Sequence, residues 1–187
     1  TAASIYNDAP LVLPGGELEQ KYRPKNSGDV FHGNIRLREA LYRSINLVSI
    51  RVILYYCPEN AVDYVSRYGF DTTDFPRDLQ LAFVGGTISV TPLEVVTGYA
   101  AFANGGYKVE PYLLRELDSI NSDVIYQASP PVACHNQCEG LIEATRVVEP
   151  RVAHIMNTML SDAIRRGTGT KAMRSLKRGD LRGKTGT

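Results

Sequence analysis

Two short runs in this sequence hold residue types whose spacing could do chemistry: Lys184-Thr185-Gly186-Thr187 and Ser44-Ile45-Asn46. In an extended chain successive side chains alternate, so Thr185 and Thr187 would share one face and Lys184 would take the other. Two hydroxyls on one face can bind a carboxylate, and a lysine beside them supplies positive charge. Gly186 suits a backbone that a substrate backbone must approach closely. Ser44 would add a hydroxyl able to pass a proton, and Asn46 an amide able to hold a peptide. These groups suit recognition of a peptide C-terminus and transfer of a proton beside it.

A nucleotide-binding P-loop also contains Gly-Lys-Thr, but it needs four residues between its two glycines. Gly179 and Gly183 enclose only Asp180, Leu181 and Arg182, and nothing apolar precedes Gly179 to form the required strand. Lys-Thr-Gly is instead the strand motif of serine penicillin-recognising enzymes. Ser44 and Asn46 also fit a purely structural role, Ser44 closing one helix and Asn46 capping the next. The remaining piece of such chemistry is Ser-x-x-Lys, which carries the nucleophile and its base. No serine here has lysine three positions on; Ser175 comes nearest, followed by Leu176, Lys177 and Arg178. The nucleophile is therefore expected outside the chain.

The elements that must position these groups follow from hydrophobic spacing. Residues 1–34 read as loop and short strand. Leu37, Ala40 and Leu41 give a helical stripe over residues 36–43. Residues 47–56 predict an intensely apolar, buried helix with Asn46 as its N-cap. Pro58 opens a helix to about Tyr68, stopped by Gly69. Thr91-Pro92-Leu93-Glu94 is a capping box whose helix runs to Ala103 and stops at Asn104-Gly105-Gly106. Residues 112–118 and 123–127 predict a hairpin, and 128–148 a polar insertion. Residues 151–166 predict an amphipathic helix, followed by Gly167-Thr168-Gly169-Thr170. Residues 181–187 read as a short strand.

Composition bounds the function. The 187 residues are 43% hydrophobic and 22% charged, as expected of one globular domain. A net charge of +1, from 21 basic and 20 acidic residues, argues against a broad basic face for nucleic acid. No apolar run reaches the roughly 18 residues of a membrane helix. The abrupt ends lead us to expect a piece of a longer protein, with any membrane anchor outside it. Cys57 is expected to be a buried small hydrophobe. For Cys134 and Cys138 three readings stay open: a local disulfide, two thiols, or a metal site using His135, whose spacing fits no standard zinc pattern.

Longer stretches carry a resemblance. Tyr22-Arg23-Pro24-Lys25-Asn26, Gly33 and Leu37 through Asn46 resemble the Ser-x-Asn region of class A bifunctional penicillin-binding proteins, most of all the penicillin-binding protein 1A type. Thr91-Pro92-Leu93-Glu94 to Tyr99, Phe102 to Gly106 and Glu110-Pro111-Tyr112 are similar to the same family. So are Arg165-Arg166-Gly167-Thr168-Gly169 and Gly183 to Thr187, and Asn7-Asp8-Ala9-Pro10 resembles the stretch after the family's Ser-x-x-Lys helix. The resemblance spans nearly the whole chain in the family's order.

It implies a mixed α/β (α+β) fold of the penicillin-binding transpeptidase and beta-lactamase type, incomplete and helix-rich here, with residues 1–187 forming a partial transpeptidase domain. It implies a parent that also carries a glycosyltransferase domain and a membrane anchor and works on the periplasmic side of the bacterial inner membrane. Its activity would be D,D-transpeptidation of D-Ala-D-Ala stem peptides of peptidoglycan, sensitive to beta-lactams and using neither cofactor nor metal, among the cell-wall synthesis machinery. Ser44 would relay a proton, Asn46 hold the substrate backbone and Lys184 stabilise charge. Thr185 and Thr187, flanking Gly186, would bind the terminal carboxylate. Two other jobs fit the same fold: a beta-lactamase or lone carboxypeptidase, and a non-catalytic, beta-lactam-sensing module.

Overall fold

The computed structural model describes residues 1–14, 21–82, 88–134 and 138–186. In chain order these form β1 (Ile5–Asp8), β2 (Gly33–Arg36), α1 (Leu37–Arg43), α2 (Asn46–Tyr56), α3 (Pro58–Ser66), α4 (Pro92–Ala103), β3 (Glu116–Asp118), β4 (Val124–Gln127), α5 (Pro150–Arg165) and α6 (Thr170–Leu176). Among the described residues the strands make only two two-stranded antiparallel sheets, β1 with β2 and β3 with β4. The fold is thus mixed and helix-rich, as expected. None of these helices is long and apolar enough to cross a membrane.

Two compact units divide the chain. The first comprises residues 1–64, 72–89 and 155–187; the second comprises 65–71 and 90–154. In the first, Ile35 of β2, Ala40 of α1, Ile45 just before α2 and Val48 of α2 form one buried cluster, joined by Tyr6, Leu37 and Val52. A second cluster joins Leu13, Ile50 and Ala82. Leu47, Val48 and Ile50 are at most 2% exposed, so the first turns of α2 are the centre of this unit. Its far end is not buried: Tyr55 and Tyr56 are 73% and 54% exposed. That corrects the expectation of a helix buried along its length. Cys57, expected to be buried, is exposed, because α2 ends there with its backbone at φ 67° before Pro58 starts α3.

In the second unit, Tyr68, Ala101, Val148 and Ala153 make the core, with Phe70, Phe102 and Val147 packed on it. The α4 capping box forms as read: the Glu94 N–H donates to Thr91 Oγ1, and the Thr91 N–H donates to Glu94 Oε2. The predicted hairpin is β3 and β4, turning at Ser122 with φ 64°. Cys134 and Cys138 are disulfide-bonded, which decides among their three readings; His135 lies outside the described residues.

Two elements differ from expectation. Residues 170–176 form α6, which buries no residue and so left no apolar stripe to read. Residues 181–186, expected as a strand, belong to no sheet: no described strand pairs with them.

Gly106 shows how tightly the second unit closes. Its carbonyl accepts from the N–H groups of Val147 and Val148, and its φ is +104°. A methyl group there would strike the Val148 carbonyl. Gly106→Ala should therefore destabilise the protein by about 2–4 kcal/mol, from the backbone conformation and the overpacking together. Urea unfolding followed by tyrosine fluorescence checks this, since the chain has 11 tyrosines and no tryptophan; an unchanged midpoint would contradict it.

Candidate active site

The motif residues meet inside the first unit. Ser44 closes α1 in the left-handed conformation, φ 60° and ψ 48°, and α2 begins two residues later at Asn46. Holding a non-glycine residue there costs on the order of 1–3 kcal/mol, and such outliers cluster at functional sites. Across 140 residues of sequence, Lys184 Nζ donates to Ser44 Oγ at 2.9 Å, and it also donates to the Thr185 carbonyl at 2.9 Å. Partial burial pushes the Lys184 ammonium below the ordinary lysine value of 10.5. An ammonium that gives up its proton more readily, bonded to a hydroxyl, has the geometry to pass a proton through it.

Asn46 is not the N-cap of α2. It is the first helical residue, and its Nδ2 donates to the Lys25 carbonyl at 2.9 Å. The cap comes from upstream: Asn26 Oδ1 accepts from the Leu47 N–H at 3.2 Å. Asn26 in turn donates to Asp8 Oδ1 at 2.7 Å and to the Val30 carbonyl at 2.9 Å. Asp8 is fully buried, and its Oδ2 accepts from the His32 N–H at 2.9 Å and contacts His32 Nδ1 at 2.8 Å. Burial alone would raise the Asp8 carboxyl, but the hydrogen bonds from Asn26 and His32 outweigh it and hold the group below 3.8. One buried carboxylate thus fixes the loop from Lys25 to His32 against the start of α2.

A cleft of about 740 Å³ is lined by Ser27, Val30, His32, Arg43, Ser44, Ile45, Asn46, Thr168, Thr185 and Gly186. Ser44, Asn46, Thr185 and Gly186 are thus brought together, with Lys184 reaching them through Ser44. Thr187 lies outside the described residues. A second hollow of about 450 Å³, lined by Val52, Ile53, Tyr56, Asn60, Ala61 and Tyr64, holds none of the motif residues. No group of three or more His, Cys, Asp or Glu among the described residues could hold a metal.

His32, Arg43 and Thr168 are site residues that motif reading missed. Thr168 had a signal, because a polar residue between two glycines marks a corner forced into close contact. Its N–H donates to the Tyr42 carbonyl at 3.2 Å, the Gly169 N–H donates to the Ala163 carbonyl at 2.9 Å, and a side chain at Gly167 would strike that Tyr42 carbonyl. Arg38 of α1 also reaches α5, bonding Asp162 at 2.9 Å and Thr158 at 2.7 Å. The corner carrying Thr168 is thereby pinned to the helix that ends at Ser44.

Residues 5–187 match the family described as penicillin binding protein transpeptidase domain. Penicillin-binding protein 1A of Pseudomonas aeruginosa is 41% identical over 225 aligned residues, spanning all of this chain and 27% of that protein. Penicillin-binding protein 1A of Neisseria gonorrhoeae is 38% identical over 188, again spanning all of this chain and 22% of that one. The crystal structure of penicillin-binding protein 1A from Haemophilus influenzae superposes with a TM-score of 0.90 at 29% identity, covering 100% of this chain and 31% of that one. The D,D-transpeptidase domain of a peptidoglycan glycosyltransferase from Eggerthella lenta shares the fold, with a TM-score of 0.69 at 20% identity over 91% of this chain and 45% of that one. The chain therefore spans 22–27% of the length of these curated relatives.

Asp8→Asn tests the network behind the cleft, because an amide cannot accept from Asn26 and from both His32 groups at once. The substitution should cost about 2–3 kcal/mol at pH 7. A carboxyl lowered in the folded state stabilises above its unfolded value, about 3.9, and that stabilisation fades as pH falls through the folded value. The gap between wild type and Asp8→Asn in urea unfolding should therefore shrink from pH 5 to pH 3. A gap that stays constant over that range would argue against the ionised carboxylate.

Proposed function

This chain belongs to the penicillin-binding protein transpeptidase family, and from that premise we propose that it forms one wall of a peptidoglycan D,D-transpeptidase cleft. The carrying observation is the Lys184–Ser44 hydrogen bond, which joins the two motifs beside Asn46 and Thr185. In this reading residues 1–187 are part of a transpeptidase domain, and a Ser-x-x-Lys segment outside them brings the nucleophile.

The serine attacks the penultimate D-alanine carbonyl of a D-Ala-D-Ala stem peptide, forming an acyl-enzyme and releasing D-alanine. The departing amine needs a proton. Ser44 gives its own and recovers one from Lys184, whose lowered pKa eases the transfer. The amine of a neighbouring stem peptide then attacks the ester and returns its proton through Ser44 to Lys184, while the serine oxygen leaves with the proton that the lysine of Ser-x-x-Lys took from it on attack. Asn46 has one N–H anchored on the Lys25 carbonyl, which sets its amide plane and turns the rest of the amide to the substrate peptide. Thr185, with Thr187 beyond Gly186, donates to the terminal carboxylate. Beta-lactams present a matching carbonyl and carboxylate and would occupy the same wall. The working enzyme would act on the periplasmic side of the inner membrane, anchored and joined to a glycosyltransferase by segments outside this chain and working with the cell-wall synthesis machinery.

A second reading, a beta-lactam-sensing or other non-catalytic module, is favoured by one observation: no Ser-x-x-Lys occurs within the 187 residues. A Ser-x-x-Lys upstream in the same gene removes it.

Fluorescent-penicillin labelling of the full-length protein tests the first reading. Lys184→Ala should slow acylation by about 10²–10⁴-fold, the span of a lost acid–base group; undiminished labelling would sink the role given to Lys184. The 187-residue chain alone should show no covalent penicillin adduct by intact mass, and an adduct would mean that it carries its own nucleophile.

A further inference from the structure

Thr168 lies 17 residues before Thr185, yet its Oγ1 sits 2.6 Å from Thr185 Oγ1 in the cleft. Each hydroxyl has one proton to give. A carboxylate only accepts, so a Thr185 that binds one must spend its single proton on the ligand. The contact between the two threonines then survives only if Thr168 donates to Thr185. We infer that Thr168 is a positioning residue for carboxylate recognition: its hydroxyl donates to Thr185, turning the Thr185 proton to the ligand and polarising it. This rests on the reading of Thr185 as a carboxylate donor.

The backbone supports the assignment. The Thr168 N–H is held by the Tyr42 carbonyl, and Tyr42 lies two residues before Ser44. Contacts therefore run in a closed circuit: Tyr42 to Thr168, Thr168 to Thr185, Thr185 along one peptide bond to Lys184, and Lys184 to Ser44. The circuit needs a short side chain with a hydroxyl at position 168, and the glycines on either side bring it close enough. Hydrogen bonds in such a chain strengthen one another, most of all when the last acceptor is ionised.

The test compares acylation of the full-length protein by benzylpenicillin and by its methyl ester, which lacks the ionised carboxylate. The ratio of the two rates isolates carboxylate recognition from general damage to the fold. Thr168→Val should lower that ratio by about tenfold, in line with one lost hydrogen bond in a charge-assisted chain, while Thr168→Ser should keep it near wild type. If the valine variant does not fold, Thr168→Ala serves in its place. A ratio unchanged in Thr168→Val, or a serine variant as impaired as valine, overturns the assignment. Equal rates for the two compounds in the wild type would instead overturn the carboxylate reading of Thr185 and this inference with it.

Discussion

A carboxylate without access to water governs the arrangement of this cleft. Asp8 is an isolated buried acid on a four-residue strand, and burying it unpaired would cost several kcal/mol. It is tolerated because one loop supplies its donors, from Asn26 and from the ring and backbone of His32. Satisfying the charge leaves that loop one geometry. The same geometry points Asn26 Oδ1 at the first turn of α2 and the Lys25 carbonyl at Asn46. An electrostatic requirement at β1 thus becomes positional order at residues that line the cleft.

The opposite side of the cleft is ordered by close approach rather than by buried charge. Gly167 allows its backbone to lie against the end of α1, and the Arg38 contacts to Asp162 and Thr158 hold the same two helices. Arg166 shares the Asp162 carboxylate at 2.6 Å. Burial works to raise the Asp162 carboxyl, but its hydrogen bonds to Arg166 and Arg38 prevail and lower it, so it stays ionised and available to both. The two sides rely on different forces, yet both converge on the three residues from Ser44 to Asn46.

Much of this was legible in the sequence where a local rule decides the outcome. The capping box at Thr91, the stop at Asn104-Gly105-Gly106 and the junction at Ser44-Ile45-Asn46 depend on neighbours a few positions apart. What escaped depends on distant partners. Asn46 looks like a cap, and nothing near it reveals that Asn26 takes that place. Residues 181–187 read as a strand from their two threonines, but a strand is a property of two segments, and no described segment pairs with 181–186. Cys57 is apolar by type and sits beside apolar neighbours; its exposure follows from where α2 turns into α3. The meeting of Lys184 with Ser44 was expected, whereas Thr168, marked in the sequence only by the glycines on either side of it, entered the cleft through its contact with Thr185.

The left-handed backbone at Ser44 has a consequence for anyone who would improve this domain. Glycine is the residue that prefers that position at the end of a helix, so Ser44→Gly relieves strain while deleting the hydroxyl. Selection for thermal robustness alone would drift towards that exchange and yield a sturdier protein without the hydroxyl that the proposed proton path needs. On the proposed role of Ser44, endurance and reactivity compete there for one side chain.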